Sequence, residues 1–88
     1  MHPKITTFSE DTSEPKIDHP RPDRLISAHS PLRETWEHYQ NRGVSAGQWQ
    51  CEPGAWRLCF ADDTDEFFHV ISGRIRITDN NGISAEFG

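Results

Sequence analysis

The stretch Asp65–Gly82, DEFFHVISGRIRITDNNG, decides how this 88-residue chain is read. It places a carboxylate at Glu66, an imidazole at His69 and glycines at Gly73 and Gly82. On a helix, Glu66 and His69 would share a face and could hold one metal ion; on a strand they look out from opposite sides. The segment EFFHVIS is rich in aromatic and β-branched residues and is bounded by an acidic loop and a glycine, which favours the strand. Glu66, Phe68 and Val70 then face one way and Phe67, His69 and Ile71 the other, so the pair is no chelate.

Immediately downstream, register supplies an internal test. If Asn80–Gly82 forms a three-residue loop, Thr78 faces Ser84, Ile77 faces Ala85, Arg76 faces Glu86 and Ile75 faces Phe87. One face is then apolar and the other salt-bridged, with Arg74 and Arg76 both near Glu86. A two-residue loop would set Arg76 against Ala85 or Phe87. The three-residue loop is therefore expected, with Gly82 at positive φ.

Upstream, strands are expected at about 44–51, 55–61, 66–72, 74–79 and 83–87. The EPGA sequence, Glu52 to Ala55, has Pro and Gly at the central positions of a type II turn. A hairpin about that turn would put Trp49, Cys51, Trp56, Leu58 and Phe60 on one face. Gln48, Gln50, Arg57 and Cys59 would lie on the other. The two cysteines then point apart and no disulfide is expected. The acidic run Asp62–Asp65 reads as a solvated turn. Residues 30–43 leave two readings open. Ser30-Pro31 can start a helix carrying Leu32, Trp36 and Tyr39, or Asn41-Arg42-Gly43 can join two strands with Gly43 left-handed. An extended edge segment is preferred.

Residues 1–29 hold four of the six prolines and three of the five histidines, with few large apolar groups. They read as an extended N-terminal arm, laid along the domain or a partner, and residues 30–88 as the β domain. His2, His19 and His29 are too scattered for a metal site, and solvated imidazoles are expected. The formal net charge of -5 argues against nucleic acid and anionic membranes as partners. No long apolar run appears, so neither a transmembrane span nor a signal peptide is expected and a cytoplasmic location is the default.

Many short strands with glycine turns point to an antiparallel sandwich or barrel. Beyond this, EFFHVISG resembles the end of the first cupin motif, in which six residues separate a glutamate from a glycine, as Glu66 and Gly73 are separated. More narrowly, residues 46–88 are similar to small cupins whose domain is like that of ureidoglycine aminohydrolase. The similarity runs through AGQWQCEPGAWRLCF, DEFFHVISGRIRITDNNG and EFG. The resemblance implies an all-β, RmlC-like jelly-roll barrel, often dimeric, in a family of mostly undetermined function. In that picture Glu66 faces the interior, where it could bond a ligand, act as acid or base, or meet Arg57 or another arginine. Trp49, Trp56, Phe60 and Phe68 are candidates to line a ligand pocket, with core packing as their ordinary role. His69 reads as a half-buried strand residue.

Two departures from the family pattern shape the functional expectation. Metal-binding cupins carry two histidines before the glutamate; the corresponding positions here are Cys59 and Ala61, or Phe60 and Asp62. No metal or other cofactor is therefore expected, since one thiolate and one carboxylate do not fill a site. The sequence also stops at Gly88, before the proline-rich second motif whose strands close the barrel. The barrel is expected to be incomplete at its C-terminus, and its open edge to be covered by a second copy in a homodimer, by strand exchange for example. A small-molecule-binding barrel without metal is the expected function. A degenerate or active hydrolase related to ureidoglycine aminohydrolase is the alternative.

Overall fold

A computed structural model describes residues 5–60 and 62–88; Ala61, the end of one expected strand, lies outside them, as do residues 1–4 of the arm. The architecture is all-β, with antiparallel strands in two sheets. Strands β1 (Lys16–Asp18), β2 (Arg33–Asn41) and β3 (Val44–Cys51) form one sheet in that order. Strands β4 (Ile75–Thr78) and β5 (Ser84–Phe87) form the other. Short 3-10 turns at Phe8–Glu10 and Pro22–Arg24 punctuate the arm.

The segment with two open readings is a strand. Asn41 pairs with Val44 across a two-residue turn in which Arg42 (φ 49°) and Gly43 (φ 81°) are both left-handed. That geometry matches the right-handed twist of the flanking strands, so the turn closes the hairpin without splaying it. β2 then spans nine residues and, pairing with β1 on one side and β3 on the other, is the central strand of its sheet and not the expected edge.

One bulge interrupts this ladder. Glu37 pairs with Gly47 and Tyr39 with Ala46, which leaves His38 as the extra residue of β2. The bulge brings the β2 backbone so close that a β-carbon on Gly47 would overlap the Trp36 carbonyl. Gly47 is required by this contact with backbone, which cannot swing aside.

The β4–β5 hairpin has the register expected from its charge pattern. Ile75 pairs with Phe87, Arg76 with Glu86, Ile77 with Ala85 and Thr78 with Ser84. Glu86 accepts from Arg76 at 2.6 and 3.0 Å and lies 3.7 Å from Arg74. Asp79 Oδ1 caps the turn by accepting from the amides of Asn81 and Ile83, and Gly82 sits at φ 79°.

Two expected strands do not form. The hairpin about EPGA is replaced by a crossover, because Glu52 continues the β2–β3 pairing. Its amide donates to the Leu32 carbonyl (3.0 Å), and its carboxylate accepts from the Leu32 amide (2.7 Å). Pro31, fully buried, occupies the space where Gly54 lacks a side chain. Trp56 consequently bridges to Leu25 in the arm instead of Cys51. Residues 66–72 form no strand: they run as coil into a bend and pair with none of the open edges of β1, β3, β4 or β5. The alternation read from sequence survives only from Phe67 on, since Glu66, expected to face inward, is exposed, as is His69, expected to be half-buried. Phe68 and Val70 are half-buried, while Phe67, His69 and Ile71 are exposed, so Glu66 and His69 share no helical face.

Among the described residues no large hydrophobic side chain is fully buried. The accessible surface is 8148 Å², where a compact chain of this mass would show about 5300 Å². The radius of gyration, 15.0 Å, likewise exceeds the ~12 Å of a compact chain of this length. Both sheets present uncovered apolar faces.

Candidate ligand-binding cleft

A cleft of about 270 Å³ opens where the arm meets β2 and the segment around Trp56. Its walls include Asp18, Arg21, Arg24, Arg33, Trp56 and Arg57. The arm is seated by backbone bonds: Ile26 and Ser27 donate to the Ala55 carbonyl (2.9 and 3.1 Å), and Arg57 donates to the Arg24 carbonyl (2.8 Å). The Ser27 hydroxyl adds a side-chain tie, accepting from the Ala55 amide (3.0 Å) and donating to the His29 carbonyl (2.7 Å).

Arg33 organises the cleft. Its Nε and Nη2 donate to the two oxygens of Asp18, both at 2.9 Å, in the fork geometry that guanidinium and carboxylate share. The hydrogen bonds from Arg33 hold the Asp18 carboxyl below its ordinary range. The same guanidinium lies 5.2 Å from the centre of the Trp56 ring, within cation–π reach. β1, β2 and Trp56 are thereby linked through one side chain. Arg21 pairs with Asp23 at 3.0 Å at the exposed lip. The Trp56 indole nitrogen is buried and has no acceptor among the described residues.

The five residues singled out from sequence are scattered. Trp56 alone lines this cleft. Trp49, 45% exposed, meets Trp56 edge-on with ring centres 6.4 Å apart. Phe60 is exposed, and Phe68 packs edge-on against Phe87 on the second sheet (5.3 Å). Glu66 is exposed and makes no ion pair with Arg57 or any other described residue. Both cysteines are free, with Cys59 exposed and Cys51 half-buried, its thiol pushed up by burial.

No three His, Cys, Asp or Glu side chains among the described residues come together as an ion would need. The donors near the glutamate motif, Cys59, Asp62 and Glu66, do not fit a resident metal of the cupin kind. His19 and His29, read as solvated, are exposed, and each also has a polar neighbour: His19 Nδ1 lies 3.2 Å from the Ser30 carbonyl, and His29 Nε2 lies 3.3 Å from Glu52.

Sequence reasoning missed His38. The bulge turns it toward the arm, where its side chain is only 5% exposed. Nδ1 donates to Asp11 Oδ2 (2.7 Å), Nε2 lies 3.0 Å from the Gln48 amide oxygen, and Phe8 stacks at 4.7 Å. Bonds from Ser13 and then His38 hold the Asp11 carboxyl below its usual range. A bulge breaks strand parity, so alternation could not place this imidazole; Gly47 opposite it was the available signal.

Residues 39–88 match the family model of the EutQ-like cupin domain. The chain belongs to this cupin family. Comparison with curated proteins and with solved structures gives no match. The matched region starts within β2 and runs through β5, so the cupin domain contributes Trp56 and Arg57 to the cleft. Asp18, Arg21, Arg24 and Arg33 come from the segment that precedes it.

Proposed function

We propose that this cupin is a small-molecule-binding module whose ligand sits in the cleft at Trp56, without a resident metal. The observation that carries the reading is the joint construction of that cleft. The arm and the cupin domain are fastened together around an open cavity by the Asp18–Arg33–Trp56 contacts. Clefts at such junctions, with an aromatic wall and a few fixed polar groups, are the usual place for small ligands. Screening compounds by the fluorescence of wild-type protein and Trp56→Phe tests it. Ligands should perturb the wild type and not the variant, and a screen in which every hit binds both alike would refute it. Metal analysis of tag-free protein is the companion measurement, and a stoichiometric transition metal would count against the reading.

A hydrolase related to ureidoglycine aminohydrolase is the second reading, supported by the resemblance of residues 46–88 and by Glu66 beside Phe67 and Phe68. Such chemistry calls for a metal-activated water, for which Cys59 and Glu66 supply too few ligands. On this reading Glu66→Gln abolishes turnover of ureido or amide compounds; on the first it leaves binding at Trp56 intact.

The module is further proposed to work as a homodimer. Its surface exceeds that of a compact chain by about 2800 Å², against the ~800 Å² per partner that a standard interface buries. A second copy covering the apolar sheet faces would take up part of the excess, and a strictly monomeric sedimentation profile would contradict the proposal. Two free thiols suit a reducing compartment such as the cytoplasm; labelling of both thiols in intact cells would check this.

A further inference from the structure

We infer that Arg24 and Arg57 form a receptor for a small dianion, which names the ligand class of the cleft and rests on the small-molecule-binding reading above. The Leu25–Trp56 bridge is antiparallel and is flanked by the bonds Arg57 N–H to Arg24 C=O (2.8 Å) and Ile26 N–H to Ala55 C=O (2.9 Å). Arg24 ends the 3-10 turn Pro22–Arg24, and its carbonyl accepts from Arg57 at the end of the bridge. Both side chains line the cleft, where like charges repel.

The other cleft arginines are matched: Arg33 by Asp18 and Arg21 by Asp23. Arg24 and Arg57 have no carboxylate within ion-pair distance among the described residues. With four guanidinium groups set against two carboxylates, the cleft carries an excess of two positive charges. The whole chain carries -5. A surface that repels anions overall thus holds one concentrated point of attraction for them.

The repulsion cannot relax by sliding the two backbones apart. Ser27 and the Ala55 carbonyl hold the arm in register, and Pro31 fixes the crossover that delivers Trp56 and Arg57. A ligand bearing two negative charges resolves it, because each guanidinium can fork onto an oxyanion. Trp56 forms the wall beside them, and its buried N–H, which lacks an acceptor, is a local reporter of the cleft. Two carboxylates on a short chain, or one phosphate, would satisfy this arrangement; a monoanion would leave one arginine unmatched.

Titration of the isotopically labelled full chain, followed at the Trp56 indole N–H resonance, tests the assignment. The probes are succinate, inorganic phosphate, acetate and uncharged succinamide. Succinate or phosphate should shift the resonance, the tighter of the two identifying a dicarboxylate or a phosphate ligand. Acetate should bind roughly tenfold more weakly and succinamide not at all. Arg24→Gln and Arg57→Gln should each weaken dianion binding by roughly tenfold or more. Arg42→Gln, in the distant β2–β3 turn, should leave it unchanged. Dianion binding that survives both cleft variants, or acetate binding as tight as succinate, would overturn the proposal. If a neutral compound shifts Trp56 while neither dianion does, the charge assignment fails and the cleft remains the ligand site. If nothing shifts it, both readings fall.

Discussion

Replacing Arg33 with lysine keeps the charge and removes the fork. In the native protein two bonds of 2.9 Å join Arg33 to Asp18, with the two side chains only 23% and 32% exposed. An ammonium can make one such bond in that geometry, and it gives up part of the cation–π contact that the guanidinium makes 5.2 Å from the Trp56 ring centre. One charge-assisted bond at a partly exposed site is worth about 1 kcal/mol, and the contact about 0.5 kcal/mol. The docked arm should therefore be weakened by about 1.5 kcal/mol, or roughly tenfold in the local opening equilibrium. Amide hydrogen exchange reads this directly. Protection of residues 16–18 should fall by that factor, while the β4–β5 amides keep theirs. A fall below about twofold would refute the account of Arg33 as the fastening of the arm. An equal fall in both sheets would refute its locality.

Acidification should release the same arm. Asp18 is held low by Arg33, Glu52 by the Leu32 amide and then His29, and Asp11 by Ser13 and then His38. Each folded value lies below the unfolded one, so the stabilisation is fully present above about pH 5 and is lost as pH falls through the folded values. Chemical shifts of residues 11–18 should move to random-coil positions on acid titration, and arm shifts that stay native at the acid end would contradict this. Gly47→Ala should destroy the β2–β3 ladder around the bulge, because the added carbon meets the Trp36 carbonyl. Gly82→Ala, with open space around it, should cost only the ~1 kcal/mol of a left-handed residue; equal losses of amide protection in the two variants would contradict the distinction. Timed alkylation with mass spectrometry should modify Cys59 well before Cys51, whose thiol is sheltered and pushed up; the reverse order would count against the described burial.

How much was legible in the sequence depended on how far the deciding contact lay along the chain. The β4–β5 register could be read from Arg76, Glu86, Ile77 and Ala85 because each pair is local and chemically matched. The crossover at Glu52–Ala55 could not, since its turn chemistry was correct and its competitor was remote. Pro31 and Leu32 capture Glu52 and Gly54 from twenty or so residues away, and nothing in Pro53-Gly54 records that. Residues 66–72 show the complementary limit: alternation picked out Phe68 and Val70 as sheltered and failed at Glu66, because a strand needs a neighbour as well as a pattern. The cleft was missed in large part because three of its arginines come from the arm and the first position of β2, and arginines spread through a proline-rich stretch read as solvated charges. His38 was invisible for a different reason, since the bulge at Glu37–Tyr39 shifts the parity on which the reading relied.

The β2–β3 turn has a consequence for the order in which the molecule assembles. Two residues, Arg42 and Gly43, already set the crossing sense of the longest ladder, so that ladder can zip outward from its tip within microseconds. The arm must search a far longer stretch of chain before Lys16 finds Thr35, and that search has a target only after β2 exists. Docking of the arm is thus the final event and, because the cleft is half arm, the moment at which the cavity first comes into being. Pulse-labelled exchange should catch β2 amides protected before those of β1; simultaneous protection would show the arm and the hairpin to form as one unit.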